Sequence, residues 1–178
     1  MILAVAGRRV DPVDAKQARF PLINVDTVRM RVRALLREKG ATALVASAAC
    51  GADLIALSEA AGLGIRPRVI LPFERQRFRN TSVTDRPGHW GPLYDQILDD
   101  VEPMGDLVVL QNGSGDDAYS AANSVILDEA VDLGKSTDQP VAALLIWDGT
   151  SRGGHDLTEE FGVEARKRGL LVTEILTR

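Results

Sequence analysis

The sequence predicts an α/β protein with a doubly wound, mainly parallel sheet of about six strands and helices on both faces. Six short runs consist almost entirely of valine, isoleucine, leucine and alanine, a composition typical of strands covered on both faces. Stretches with helical periodicity separate these runs, and such alternation favours parallel strands joined by right-handed crossovers. The predicted strands span residues 2–6, 43–47, 68–72, 106–110, 141–147 and 170–176.

Amphipathic helices are predicted between the strands. Residues 24–40 place their apolar side chains on one stripe and end at a glycine, a common helix terminator. Residues 51–64 and 116–134 repeat this pattern, and shorter helices are predicted within residues 92–105 and 156–169. The long segment before the helix in residues 92–105, residues 74–92, is expected to be irregular and to form either a lid or a surface excursion.

Length and charge limit the classes of function. A chain of 178 residues is expected to form a single domain, residues 1–178. The 21 lysines and arginines against 25 aspartates and glutamates give a net charge of −4, which disfavours duplex DNA and anionic membranes as partners. A single cysteine, Cys50, and the lack of a signal-like start or a membrane-length apolar run predict a cytoplasmic protein.

The end of the second strand carries unusually small side chains. Between Ala46 and Gly51 nothing is larger than Cys50, and a helix pattern then begins. Two interpretations are open: free backbone amides at a helix start bind a phosphate, or the helix packs tightly on the sheet. Under the first interpretation, the ligand contacts Ser47, Ala48, Gly51, Ala52 and Asp53. The aspartate either binds a ribose hydroxyl or is simply an acid favoured by the helix dipole. It also predicts that valine at position 51 abolishes binding.

Other strand ends supply further candidates. Gly7 permits a sharp turn after the first strand, and Arg8 either binds a phosphate or is solvated, as Arg9 is interpreted to be. The fifth strand is followed by a second glycine-bearing turn, in which an acid is able to hold a ribose or transfer a proton. The candidates beyond the first two strands are Ser82, Asn123, Asp148, Gly149, Gly153, Gly154 and Glu160.

Several enzyme signatures are absent from the sequence. There is no GxxxxGK[ST], no GxGxxG and no GxSxG motif, and two histidines with one cysteine do not make a usual zinc ligand set. We therefore expect neither a metal nor a cofactor.

Two segments resemble known nucleotide-related families. Residues 46–61, ASAACGADLIALSEAA, resemble the SGxAxGID segment of the DprA (Smf) family through Ala49, Gly51 and Asp53. Residues 152–161, RGGHDLTEEF, resemble the PGGxGTxxE signature of the LOG phosphoribohydrolases through Gly153, Gly154 and Glu160. The chain is thereby similar to the SLOG superfamily, which implies a Rossmann-like fold that binds nucleotides and nucleotide-derived molecules. Segments AGRRVD, ARFP, LPFxxxxFxxTSV, AYxxAN and LLIWDG resemble SLOG modules found beside signalling domains.

One departure from the LOG pattern separates the hypotheses. LOG enzymes carry an arginine on the helix before the glycine-rich strand, whereas residues 118–130 contain no arginine or lysine. We therefore favour a sensor or binding module for a nucleotide-derived small molecule, whose two small-residue turns converge on one crevice. The alternative is a LOG-like phosphoribohydrolase with Glu160 as the catalytic residue. The resemblance also implies a homodimer or larger oligomer, while single-stranded DNA is disfavoured by the acidic balance and 4% aromatic content.

Overall fold

The computed structural model describes residues 1–111, 113 and 115–178 of the chain. Within these residues, six parallel strands form one sheet in the order β4-β3-β2-β1-β5-β6. The predicted α/β, Rossmann-like fold class is confirmed. The strands are β1 (Ile2–Gly7), β2 (Ala43–Ala46), β3 (Arg66–Leu71), β4 (Leu107–Val109), β5 (Val141–Trp147) and β6 (Leu171–Leu176).

The strand order reverses beside β1. The chain moves outward from β1 to β4 and then returns to place β5 on the other side of β1. Val5, for example, lies in register with Ala46 of β2 and with Leu144 of β5. In doubly wound sheets, ligands bind outside the carboxyl ends of the strands at this reversal. A site is therefore expected at the loops after β1, β2 and β5.

Helices cover both faces of the sheet. They are α1 (Val25–Glu38), α2 (Ala52–Gly62), α3 (Arg75–Phe78), α4 (Trp90–Val101), α5 (Asp116–Thr137) and α6 (Leu157–Lys167). Leu3 and Val5 of β1 pack in a core with α1, α2 and α4, whereas Ala4 packs in a second core with α5 and α6. This division follows from the alternation of side chains along a strand. None of the helices in the described part of the chain has the length and apolar character needed to cross a membrane.

The edge strands depart from the expected burial. The apolar runs predict strands covered on both faces, but Leu171 of β6 is 80% exposed and only Ile175 of that strand is buried. Strand β4, at the other edge, has no buried residue. The prediction of full cover is wrong at these two strands, because they lie at the margins of the helix layers.

The segment expected to be irregular is largely helical. Glu74 caps α3 by accepting hydrogen bonds from the backbone amides of Gln76 and Arg77, and the helix continues as a turn of π-helix over Arg79–Val83. Phe78 and Val83 are buried in the core beside α2 and α4. The segment is therefore anchored to the sheet, and it carries Ser82 to the carboxyl end of β2, where its carbonyl accepts a hydrogen bond from the Cys50 amide.

Candidate functional site

A cleft of about 510 Å³ lies at the carboxyl ends of β1 and β2. This volume is typical of small-molecule sites, which span roughly 300 to 1,000 Å³. The end of β1 and Ser47 form one side, and the amino-terminal half of α5 forms another. The loop between β1 and α1 and the start of α6 complete it. We call it the central cleft, and the predicted site residues that line it are Gly7, Ser47, Asp53, Ser82 and Asn123.

The central cleft is rich in positive charge. Its lining has more cationic than acidic side chains although the whole chain carries a net charge of −4. The acids are Asp11, Asp53 and Asp116. The cations are Arg9, Lys16, Arg19, Arg86 and Arg152. A concave surface with an excess of one sign of charge attracts ions of the opposite sign, so five cations against three acids favour an anionic ligand.

Asp53 is the most deeply buried of these acids. Its side chain is 7% exposed, and Oδ2 accepts a hydrogen bond from the Ala49 amide at 3.2 Å. Burial raises the pKa of Asp53 to about 7, although the Ala49 amide and the charge on Arg9 act in the opposite direction. Near neutral pH both protonation states are populated, so the carboxyl group is able to accept or donate a hydrogen bond inside the cleft.

Hydrogen bonds hold α5 in place beside the cleft. The hydroxyl groups of Ser82 and Tyr119 lie 2.9 Å apart and connect the π-helical turn to α5. Asn123 donates from Nδ2 to the carbonyl of Leu157 at 3.0 Å, which connects α5 to the start of α6. Tyr119 and Asn123 both line the cleft, and the ring of Tyr119 also packs against Phe73 and Phe78.

The small residues after β2 have a structural explanation. Gly51 has a φ of +93°, and a Cβ atom there would lie 2.8 Å from both the Arg8 carbonyl oxygen and the Val10 amide nitrogen. Ala48 and Ala52 are fully buried, and none of these three residues lines the central cleft. The group that approaches the bare backbone is therefore the chain itself, and valine at position 51 would disturb the fold rather than displace a ligand.

Backbone amides at this bend are already bonded. The Cys50 amide donates to the Ser82 carbonyl at 3.0 Å, and the Ala52 amide donates to the Arg8 carbonyl at 3.1 Å. The expectation that amides here are free to bind a phosphate is wrong for these two groups. Gly7, like Gly51, has no room for a side chain, because a Cβ atom there would lie 2.4 Å from the Ile146 carbonyl and the Ala52 side chain.

Arg8 is buried in an ion-pair network and does not line the cleft. It donates from Nε to Asp148 at 2.9 Å and from Nη1 and Nη2 to Asp156 at 2.5 and 2.8 Å. Both carboxyl groups are almost completely buried. Burial alone would raise the pKa of Asp156, but hydrogen bonds from Arg8 and from the Arg152 amide lower it to about 2. Arg8 and Asp148, expected as ligand contacts, instead hold the loop after β5 against the loop after β1.

The glycine-rich turn after β5 contributes little to the cleft. Gly149, Gly153 and Gly154 are exposed, have positive φ values and do not line it. From this turn only Arg152 reaches the cleft, together with Leu157 and Thr158 from the start of α6. Residues of both bends therefore line the cleft, namely Ser47, Ala49 and Asp53 of the first and Arg152 of the second, whereas the glycines of the bends do not.

Glu160 lies outside the central cleft. It lines a separate hollow of about 320 Å³ between α5 and α6, which it shares with Glu159 and Glu164. Its Oε1 is 3.4 Å from Nδ1 of the exposed His155. The expected catalytic glutamate is therefore separated from Asp53 and from the cations of the cleft, because the first turn of α6 directs it to the opposite side of Asn123.

Sequence reasoning missed most of the cations. Arg9 was expected to be solvated, and Lys16, Arg19, Arg86 and Arg152 were not considered as ligand contacts. A signal was present in the long loop after β1, since any residue there lies at the carboxyl edge of the sheet. In the described part of the chain, no three histidine, cysteine or acidic side chains gather as metal ligands.

Comparison with known proteins gives one structural similarity to report. Neither a protein-family model nor a curated protein sequence matches the chain. It is similar to the X-ray structure of DNA processing protein A (DprA) from Streptococcus pneumoniae, with a TM-score of 0.44 and 12% sequence identity. The match covers 96% of this chain and 57% of that one, so the chain spans little more than half of the DprA chain. A similarity at this level carries no functional argument, and the function must be inferred from the cleft.

Proposed function

We propose that the chain binds a nucleotide or nucleotide-derived small molecule in the central cleft through its phosphate. The observation that carries the proposal is the concentration of Arg9, Lys16, Arg19, Arg86 and Arg152 around a cleft of about 510 Å³, in a chain whose net charge is −4. Like charges gathered in a hollow repel one another, and an anion relieves that repulsion. Binding of a nucleotide-derived molecule is also what the resemblance to SLOG modules implies.

Arg152 is the cation best placed to bind a phosphate. Desolvation lowers the pKa of Arg152, and the nearby positive charge of Arg8 lowers it further. Arg152 is also exposed and lines the cleft, so its guanidinium group is accessible to an anion there. Because arginine offers several N–H donors in a planar arrangement, it is able to bind two phosphate oxygens at once.

The remaining polar groups fit a ribose and a base. Ser47 follows β2 and Asp53 lies in the first turn of α2, where a hydroxyl and a carboxyl group can hydrogen-bond to ribose hydroxyls. Tyr119 and Asn123 lie along α5 on the opposite side, where an aromatic face and an amide oxygen suit a nucleobase. The proposed ligand thus spans the cleft from α5 to the loop after β5.

Replacing Arg152 with alanine is expected to weaken nucleotide binding about tenfold or more, because a charge-assisted hydrogen bond contributes roughly 1.5 to 3 kcal/mol. Isothermal titration calorimetry with AMP and GMP measures the effect. Arg37→Ala is the matched control, since Arg37 is an exposed arginine on α1 that does not line the cleft. Equal affinity in the two variants, or failure of wild-type protein to bind any nucleotide, would contradict the proposal.

Replacing Glu160 with glutamine is expected to change nucleotide affinity less than about twofold, because its side chain lines the separate hollow. We also expect no release of free base on incubation with AMP, since Glu160 does not face the cleft. Chromatographic detection of adenine tests this point. Base release that disappears in Glu160→Gln would favour the phosphoribohydrolase over the binding module.

A further inference from the structure

Four of the five cations of the central cleft form two groups. Arg19 and Arg152 lie near the carboxyl end of β5, where Arg19 donates to Asp148 at 2.7 Å and to the Thr150 carbonyl at 2.9 Å. Arg9 and Arg86 lie on the other side of β1, where Asp85 pairs with both of them. Arg8 and Arg9 follow one another in sequence and extend toward these two different places, so the end of β1 separates the groups.

The group formed by Arg9 and Arg86 carries unsatisfied donors. Asp85 is the carboxylate that pairs with both guanidinium groups, and the charge of Arg9 also acts on the buried carboxyl group of Asp53. The Nε atoms of both arginines are buried without a hydrogen-bond acceptor among the described residues. The Nε atom of Arg86 lies 3.5 Å from Asp85 Oδ2, which makes an ion pair but no hydrogen bond. Because the two guanidinium groups share one carboxylate and remain partly exposed, this pair has capacity for a further acceptor at its accessible nitrogens.

Both arginines are accessible from the cleft. Their side chains are 27% and 25% exposed, and both line it beside Ser82. The hydroxyl of Ser82 points to Tyr119, the residue that the proposed function places against the base. A second anionic group on the ligand would therefore lie next to the base or ribose, away from the phosphate held by Arg152.

We propose that Arg9 and Arg86 form a second phosphate subsite, so that the ligand is a nucleotide derivative with two separate phosphate groups. This inference rests on the proposed function, because it divides the same cleft into two anion subsites. Two chemical sources satisfy it: a nucleoside phosphorylated at two positions, and a dinucleotide with a terminal phosphate. Both present a nucleoside between two phosphates, and Asp53, Ser47 and Tyr119 line the same cleft as the two groups of cations.

Calorimetric titrations with AMP, adenosine 3′,5′-bisphosphate and the linear dinucleotide pApA test the inference, with the guanine compounds in parallel. Wild-type protein is expected to bind at least one ligand with two phosphates about tenfold more tightly than the monophosphate. Arg86→Gln should weaken binding of the doubly phosphorylated ligand more than binding of the monophosphate, and so reduce this preference about tenfold. Which of the two doubly phosphorylated ligands binds more tightly distinguishes the sources.

Three controls make the outcome decisive. Arg86→Lys keeps the charge and should keep part of the preference, and thermal denaturation checks that each variant is folded. Should Arg86→Gln fail to fold, Arg9→Gln tests the same subsite.

Monophosphate binding with no gain from a second phosphate would overturn the second subsite alone. So would an Arg86→Gln variant that weakens both classes of ligand equally. Absence of any nucleotide binding by wild-type protein would overturn the proposed function and this inference together.

Discussion

Replacing Arg8 with methionine is expected to lower the free energy of unfolding by about 3 to 5 kcal/mol. Arg8 is 1% exposed and hydrogen-bonds to Asp148, Asp156 and the Thr150 carbonyl. Its removal takes the guanidinium partner from the buried Asp156 and leaves Asp148 paired with Arg19, and an uncompensated buried charge costs far more than a lost surface ion pair. Methionine keeps much of the side-chain volume, so the loss of charge pairing dominates the effect.

Urea denaturation followed by circular dichroism measures this loss, with Arg31→Met as the matched control. Arg31 makes an exposed hydrogen bond to the Leu176 carbonyl, and its replacement should cost less than about 1 kcal/mol. Combining Arg8→Met with Asp156→Asn should cost less than the sum of the single changes, because the two residues interact directly. Equal stability of the Arg8 and Arg31 variants would show that the network does not hold the loops together.

The strands and part of the candidate site could be predicted from the sequence. The alternation of apolar runs and helical stretches predicted the strands well, since β5 begins and ends where its apolar run does. Asp53, Ser47, Ser82 and Asn123 were predicted because they follow strand ends or repeat motif positions, and such positions share one edge of a parallel sheet. Local pattern and topology were sufficient for these residues.

The sequence pattern could not predict the direction in which a side chain points. Arg8 and Arg9 are chemically identical neighbours, yet one is buried between two aspartates and the other lines the cleft. Which of them faces a ligand depends on where Asp148, Asp156 and Asp85 lie in space, and these residues are distant in sequence. The role of Gly51 was likewise hidden, because the backbone that approaches it belongs to the loop after β1. The net charge of the chain likewise did not predict the cationic cleft, because the acids and the cations are not evenly distributed over the molecule.

Replacing Asp53 with asparagine is expected to stabilise the protein at pH 8 by an amount on the order of 4 kcal/mol, and to do so progressively less as the pH falls toward 4. Burial raises the pKa of Asp53 from 3.8 to about 7 in the folded state. Between these values the unfolded chain loses the proton freely, whereas the folded chain must keep it. The contribution of Asp53 to stability therefore falls as the pH rises from about 4 to 7 and is level above that range.

The difference in unfolding free energy between wild type and Asp53→Asn isolates this contribution, since the carboxyl groups whose pKa is lowered, such as Asp156, are present in both proteins. Urea denaturation at half-unit steps from pH 5 to 8 gives the profile. Asp14→Asn, a change at an exposed position in the loop after β1, should leave the profile unchanged. A difference that stays flat across this range would show that the folded protein does not hold the Asp53 carboxyl group in its protonated form.

The same measurement bears on function. Asparagine keeps the oxygen that accepts the hydrogen bond from the Ala49 amide, so nothing in the fold requires an ionisable group at position 53. A residue that costs stability near neutral pH, lies in a cationic cleft and has a simple stabilising replacement is expected where binding or chemistry needs it. If Asp53 binds a ribose hydroxyl, Asp53→Asn should be more stable than wild type and should bind nucleotides more weakly. Calorimetry on the same two proteins shows whether stability and affinity change in these opposite directions.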